Sequence, residues 1–237
     1  MGSRVHLTSV VTALTILIGG SGLLWGALNL QRSAIADELH SYAARLLRFE
    51  GFAPAAAQRI VDSDAIRNLS DCDTQAQRAL VLLEIPLAEA AMRSGATGDF
   101  DRHMRSIADR SGRILTCAPR DSLAWLLLFG LEVTQGRIGD HAFELLAASY
   151  ETSPNEAWVA LRRVTVATPV LLSAPEGIRQ KILDEFKNLV RHRYVEIPVR
   201  AFLAAPASAQ KLLQARIEEL DTPSQELFAR TVQELRS

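Results

Sequence analysis

Hydrophobic and polar positions divide this chain into two regimes. From Leu7 to Leu30 there is no charged side chain (LTSVVTALTILIGGSGLLWGALNL). At about 1.5 Å per residue such a run crosses the roughly 30 Å hydrocarbon core of a bilayer with some tilt. Beyond it, apolar residues recur at helical spacing between charged ones. Leu39, Tyr42, Leu46 and Leu47 predict a helix over 34–49, ended at Gly51, and Ile60, Val61, Ile66 and Leu69 predict one or two short helices over 53–70. A hairpin follows. Its first helix, 74–93, places Leu80, Leu83, Leu87 and Ala91 on one face, with a kink expected at Pro86. Residues 94–98 are turn chemistry, and the second helix, 99–115, carries Phe100, Met104, Ile107, Ala108, Ser111 and Leu115 opposite Arg102, Arg105, Asp109 and Arg113.

Residues 121–135 are apolar almost all round, as in a helix buried between neighbours, and 142–152 read as an amphipathic helix after the turn at Gly136 and Gly139. Three later helix starts are expected from capping boxes: Ser153 to Glu156, Ser173 to Glu176 and Thr222 to Gln225. Tyr194–Ile197 alternates briefly, but Pro198 follows and no partner strand is apparent. The expected fold is all-α: a short tail over 1–6, a transmembrane helix over 7–30, a juxtamembrane helical segment over 31–73, and stacked antiparallel hairpins over 74–237.

The N-terminal run has a rival reading. Arg4 and the small-x-small triplet Ala34-Ile35-Ala36 fit a signal peptide cleaved after Ala36, which would release a soluble module. The length of the run, and Arg32 between it and that triplet, favour an uncleaved anchor. Positive charges flank both ends (Arg4; Arg32, Arg45, Arg48) and leave the orientation open. Gly22 and Gly26 form a GxxxG pair, a face on which two such helices can dimerise.

The two cysteines bear on the compartment. Cys72 precedes the first helix of the hairpin and Cys117 follows the second, so an antiparallel arrangement brings them to the same open end. A bridge there implies an oxidising compartment such as a bacterial periplasm, and with it a single-pass inner-membrane protein whose C-terminal domain lies outside the cytoplasm. An apolar fraction of 48% with a net charge of −1 supports a packed core and excludes a broadly basic nucleic-acid binder.

Trp125 and Trp158 each stand near a helix start, one structural repeat apart. The stretch DSLAWLLLFGLEVTQGRIGDHAFELLAASYETSPNEAW resembles a tetratricopeptide repeat: Trp125 and Leu128 match its early Trp and Leu, Gly136 its turn glycine, Ala142 its small residue in the second helix, and Pro154 its terminal proline. Phe129, Glu132 and Leu146 depart from the pattern, and only residues 121–155 carry it. The resemblance implies a right-handed α-solenoid whose concave face takes a peptide or partner segment, and it brings no catalytic residue.

Catalytic signals are weak. Ser208-Ala209-Gln210-Lys211 has SxxK spacing without the companion motifs of serine acyl enzymes. The five histidines have no metal-ligand spacing, and neither glycine-rich phosphate fingerprint occurs. No catalytic residue, metal or cofactor is therefore expected. Between 157 and 200 basic residues outnumber acidic ones, and Arg162, Arg163, Lys187, Arg191 and Arg193 make a candidate contact surface for an acidic partner, lipid headgroups or an anionic polysaccharide. The function expected is a non-enzymatic, membrane-tethered scaffold that binds a protein or polysaccharide partner in cell-envelope assembly, such as polysaccharide export or secretion. The alternative is a glycan-processing enzyme, with Glu156 beside Trp158 as its one nameable acid.

Overall fold

The computed structural model describes residues 14–27, 39, 41–42, 44–45, 53–63, 66 and 69–236. The tail 1–6, both ends of the expected span, the triplet Ala34–Ala36, and Leu46, Leu47 and Gly51 lie outside the described residues. Every regular element described is helical. Residues 14–27 form a helix on which Leu14, Ile16, Leu17, Ile18, Leu23, Leu24 and Trp25 are all exposed. Its Ser21 hydroxyl donates back to the Ile18 carbonyl at 2.9 Å. Among the described residues no helix is long and apolar enough to cross a membrane.

Residues 39, 41–42 and 44–45 are helical too, and beyond them lie α1 (Pro54–Val61), α2 (Thr74–Ser94), α3 (Thr97–Cys117), α4 (Ser122–Thr134), α5 (Asp140–Thr152), α6 (Ala157–Ala167), α7 (Glu176–Arg191), α8 (Glu196–Ala204), α9 (Ala207–Glu218) and α10 (Thr222–Arg236). A 3₁₀ turn, Thr168–Val170, follows α6. Neighbours pack in chain order: α2 on α3, α3 on α4, α4 on α5, and α6 on α7. Contacts then recur two elements apart, with α4 on α6, α6 on α8 and α8 on α10 along one row, and α5 on α7 and α7 on α9 along the other. This packing is compatible with a helical repeat.

Local chemistry explains the hairpins. Asp73 and Asp121 cap α2 and α4 by accepting from the amides of Ala76 and Ala124 at 3.0 and 2.9 Å. α2 and α4 end alike. Gly95 and Gly136 stand in the left-handed region at φ 72° and 71°, where an L side chain is strained. The amides of Ala96 and Arg137 close the motif on the carbonyls of Ala91 and Glu132. α2 runs unbroken from Thr74 to Ser94 through Pro86.

The largest core spans α4 to α10 and centres on Phe129, Leu146, Val164, Leu171, Phe186 and Val199. Phe228 of α10 closes it, meeting Phe202 and Phe186 edge-on at centroid distances of 5.3 and 6.1 Å. A smaller core sets Leu39, Ala57 and Ile66 against Ala76, Leu80, Leu83 and Leu87 of α2. Burying a side chain such as Phe129 contributes roughly 1.5–3 kcal/mol over leaving it in water.

None of the three capping boxes forms. α6 begins three residues after the expected Ser153–Pro154 start, because the Ser153 carbonyl is held by Arg163 and its hydroxyl is buried without a partner. α7 begins after Pro175 with no side-chain cap, Ala174 being buried in the core and its carbonyl accepting from Arg179. Gln225 turns away from its own helix start and donates to the Glu218 and Leu220 carbonyls at the end of α9.

Candidate functional site

Cys72 and Cys117 are joined, with their Cα atoms 5.4 Å apart, at the open end of the α2–α3 hairpin. The chain topology brings them together as their positions outside the two helices imply. Between the same helices lies a buried polar set. Glu84 is fully buried; it accepts from the Ser106 hydroxyl at 2.6 Å and from Arg110 Nε at 3.2 Å, and His103 Nδ1 stands 3.4 Å away. Arg110 also donates to Gln77 Oε1 at 2.8 Å. These groups satisfy one another and fix the register of the hairpin.

The five basic residues of the expected contact surface do not share a face. Arg163 is wholly buried and belongs to the core. Its guanidinium donates to Glu185 at 2.7 and 3.0 Å, to the Ser149 and Ser153 carbonyls at 2.9 and 3.0 Å, and to the Ser122 hydroxyl at 3.2 Å. It also stacks over the Tyr150 ring at 4.5 Å. Arg162, one residue earlier on α6, points into an apolar groove instead. Lys187 pairs at 2.8 Å with Glu219, which caps the C-terminal end of α9. Only Arg191 and Arg193 stand exposed near the end of α7. A helix turns each successive residue by about 100°, so a basic stretch in sequence scatters over several faces.

Two grooves flank α6. The first, about 500 Å³, runs across α2, α3, α4 and α6. Its walls are apolar: Ile85, Met92, Met104, Leu127, Val133 and Val166. Gly130 opens its floor, where an added Cβ would meet only Val166, at 3.5 Å. Met92 is 60% exposed and stands among the apolar side chains at the groove's edge. Glu89 of α2 and Arg162 of α6 also line this groove. Burial lowers the pKa of Arg162, and the carboxylate of Glu89 partly opposes this.

A second groove, about 760 Å³, lies between the N-terminal end of α6 and the C-terminal half of α7, with Tyr150 beneath it. Its lining is mixed. Tyr150 donates to Glu185 at 3.2 Å. Burial pushes the Tyr150 phenol well above its ordinary range, reinforced by the Glu185 charge and countered by Arg163. Burial likewise raises Glu185, against the hydrogen bonds and charge of Arg163. The carboxylate is thus half of an ion pair with buried Arg163.

Glu156 lines none of the grooves described and stands exposed at the N-cap of α6. Trp158 faces Arg78, whose guanidinium lies 6.0 Å from the ring centroid and pairs with Asp121. Ser208 and Lys211 fall in the first turn and a half of α9. Gly22 and Gly26 sit four residues apart on helical residues 14–27, each with open space at its Cβ position. Among the described residues no group of three or more His, Cys, Asp or Glu side chains could hold a metal ion. Sequence reasoning missed Glu84, Glu185 and the buried role of Arg163. The available signal was a lone charge inside an apolar helical stripe, as at Glu84 in α2.

The fold and its grooves define an all-helical protein of packed neighbouring helices. No protein-family model, curated protein or solved structure matches the chain.

Proposed function

We propose that this chain is a single-pass, membrane-tethered helical-repeat scaffold that docks an amphipathic helix of a protein partner in bacterial cell-envelope assembly. The apolar groove across α2, α3, α4 and α6 carries the reading. An extended peptide would bury unpaired backbone amides and carbonyls against these walls, whereas a helix satisfies its own. Such a helix would insert apolar side chains at i, i+3 or i+4 and i+7 between Met92, Leu127 and Val166. The flexible thioethers of Met92 and Met104 adapt to the knob shapes presented.

The remaining parts of the proposal rest on separate supports. For the anchor, the charge-free run 7–30 is joined by the exposed apolar side chains of helical residues 14–27. For a tetratricopeptide-like solenoid, the support is the two rows of contacts, α4–α6–α8–α10 and α5–α7–α9. For a periplasmic position, it is the Cys72–Cys117 bridge, since the cytosol keeps thiols reduced.

The test uses the full chain in lipid nanodiscs and a fluorescent 18-residue amphipathic helix with leucines on one face, against a scrambled peptide of equal composition. Saturable anisotropy for the first alone, lost in Met92→Asp and in Leu127→Asp, is the expected result. Equal binding of both peptides, or of the first peptide to the variants, would sink the proposal. Retention of the chain in membranes after alkaline extraction tests the anchor separately; a mature chain beginning at Asp37 would replace it with a secreted module.

A further inference from the structure

The groove between α6 and α7 shares no lining residue with the apolar one, and its mixed lining sets it apart. Its charges cancel. Lys181 lies 5.9 Å from the Tyr150 ring centroid, Asp184 lines the groove three residues on, and Glu185 is paired with buried Arg163. Asp184 is further balanced by Lys187 and Arg216 at 3.7 and 3.8 Å. The formal charges of the lining lysine and two carboxylates, taken with buried Arg163, sum to zero. Asn155 and Asn188, both exposed, supply groups that donate and accept at once.

The rim residue Tyr194 is held by an unusual turn. α7 ends in the same motif as α2 and α4: the Arg193 amide donates to Val190 and the Tyr194 amide to Leu189, at 3.0 and 2.9 Å. Where those helices have Gly95 and Gly136, this one has Arg193 at φ 70°. A non-glycine residue there is strained, and such strain concentrates where a neighbouring group must be positioned. The next residue is Tyr194, 46% exposed and lining the groove together with His192.

We infer that this groove binds a neutral glycan segment, with Tyr194 packing on an apolar sugar face and Asn155, Asn188 and Asp184 hydrogen-bonding its hydroxyls. A sugar ring offers an apolar CH face and a dense rim of hydroxyls that both donate and accept. That combination matches an exposed aromatic ring beside uncharged amides and one compensated carboxylate. An anionic polysaccharide is the poorer fit, because Lys181 is the one lysine or arginine among the groove's lining residues and Asp184 stands one turn from it.

Isothermal titration of the full chain in nanodiscs with cellohexaose, maltohexaose and chitohexaose tests this, with hexaguluronate as the charged comparison. The expected result is a Kd below about 1 mM for at least one neutral hexasaccharide, weakened tenfold or more in Tyr194→Ala and in Asn188→Ala and retained in Tyr194→Phe. These side chains are exposed, so the variants are expected to keep the parent's helical circular dichroism. The inference fails if none of the neutral hexasaccharides binds below that value, if hexaguluronate binds more tightly, or if the alanine variants bind like the parent. Failure here would leave the helix-docking groove untouched, since its test reads another set of residues.

Discussion

Removing Arg163 and Glu185 together should cost less than the sum of removing each alone. Arg163 is wholly buried, and Glu185 keeps 9% of its side-chain surface. In Glu185→Gln the shape survives and one oxygen still accepts from Nε, but a buried guanidinium loses its counter-charge. Breaking a buried pair in this way costs about 3–5 kcal/mol. Arg163→Met should fall in the same range: it strands the Glu185 carboxylate and removes the donor to the Ser153 carbonyl. The double variant Arg163→Met with Glu185→Leu removes both charges together. What remains is the Tyr150 hydroxyl and the Ser153 carbonyl without their partners, at about 1–3 kcal/mol each. The Ser149 carbonyl keeps its bond from the Ser122 hydroxyl at 2.9 Å. The singles therefore sum to about 6–10 kcal/mol, while the double variant loses about 2–6 kcal/mol. Urea unfolding of the four proteins, followed by circular dichroism with a check that the m-value holds, measures the cycle. Additivity within about 0.5 kcal/mol would refute the claim that the two side chains act as one buried unit.

Other consequences are checked more simply. The folded-state pKa of Tyr150 is raised, whereas an unfolded tyrosine titrates near 10. The stability linked to its proton is therefore complete below about pH 10 and is lost as pH climbs from there toward the folded value. Tyr150→Phe should flatten that alkaline decline in unfolding titrations, and an unchanged slope would assign it elsewhere. Replacing Cys72 and Cys117 by serine opens a loop of 45 residues in sequence separation and should cost about 4 kcal/mol on chain-entropy grounds. Hydrogen exchange should then rise first in α2 and α3; a uniform rise along the chain would contradict that placement. Gly112 lies within α3 with open space at its Cβ position, so Gly112→Ala should stabilise by about 0.5–1 kcal/mol. A lower denaturation midpoint would show an unseen close neighbour.

Most of the helical frame was legible in the sequence because its causes are local. Apolar residues at helical spacing mark α2 to α5 to within two residues, and Gly95 and Gly136 mark where α2 and α4 end. The Cys72–Cys117 bridge was legible too, since two residues outside antiparallel helices must meet if the hairpin closes. Capping motifs misled where the tertiary structure had a competing use for the same atoms. The Ser153 carbonyl serves Arg163, and Gln225 serves the end of the preceding helix.

The grooves were not legible. Each is lined from several helices whose spacing depends on packing, and no sequence interval records that Ile85, Met104, Leu127 and Val166 share a wall. Charge was the least transferable reading: adjacent Arg162 and Arg163 read alike along the chain, yet one lines an apolar groove and the other is locked in the core. Periodicity and turn residues act within a few positions, so the sequence alone determined the helices, their hairpins and the disulfide. Burial and pairing act between elements distant along the chain, so only the packed fold decided which charges neutralise one another and which surfaces stay open to a ligand.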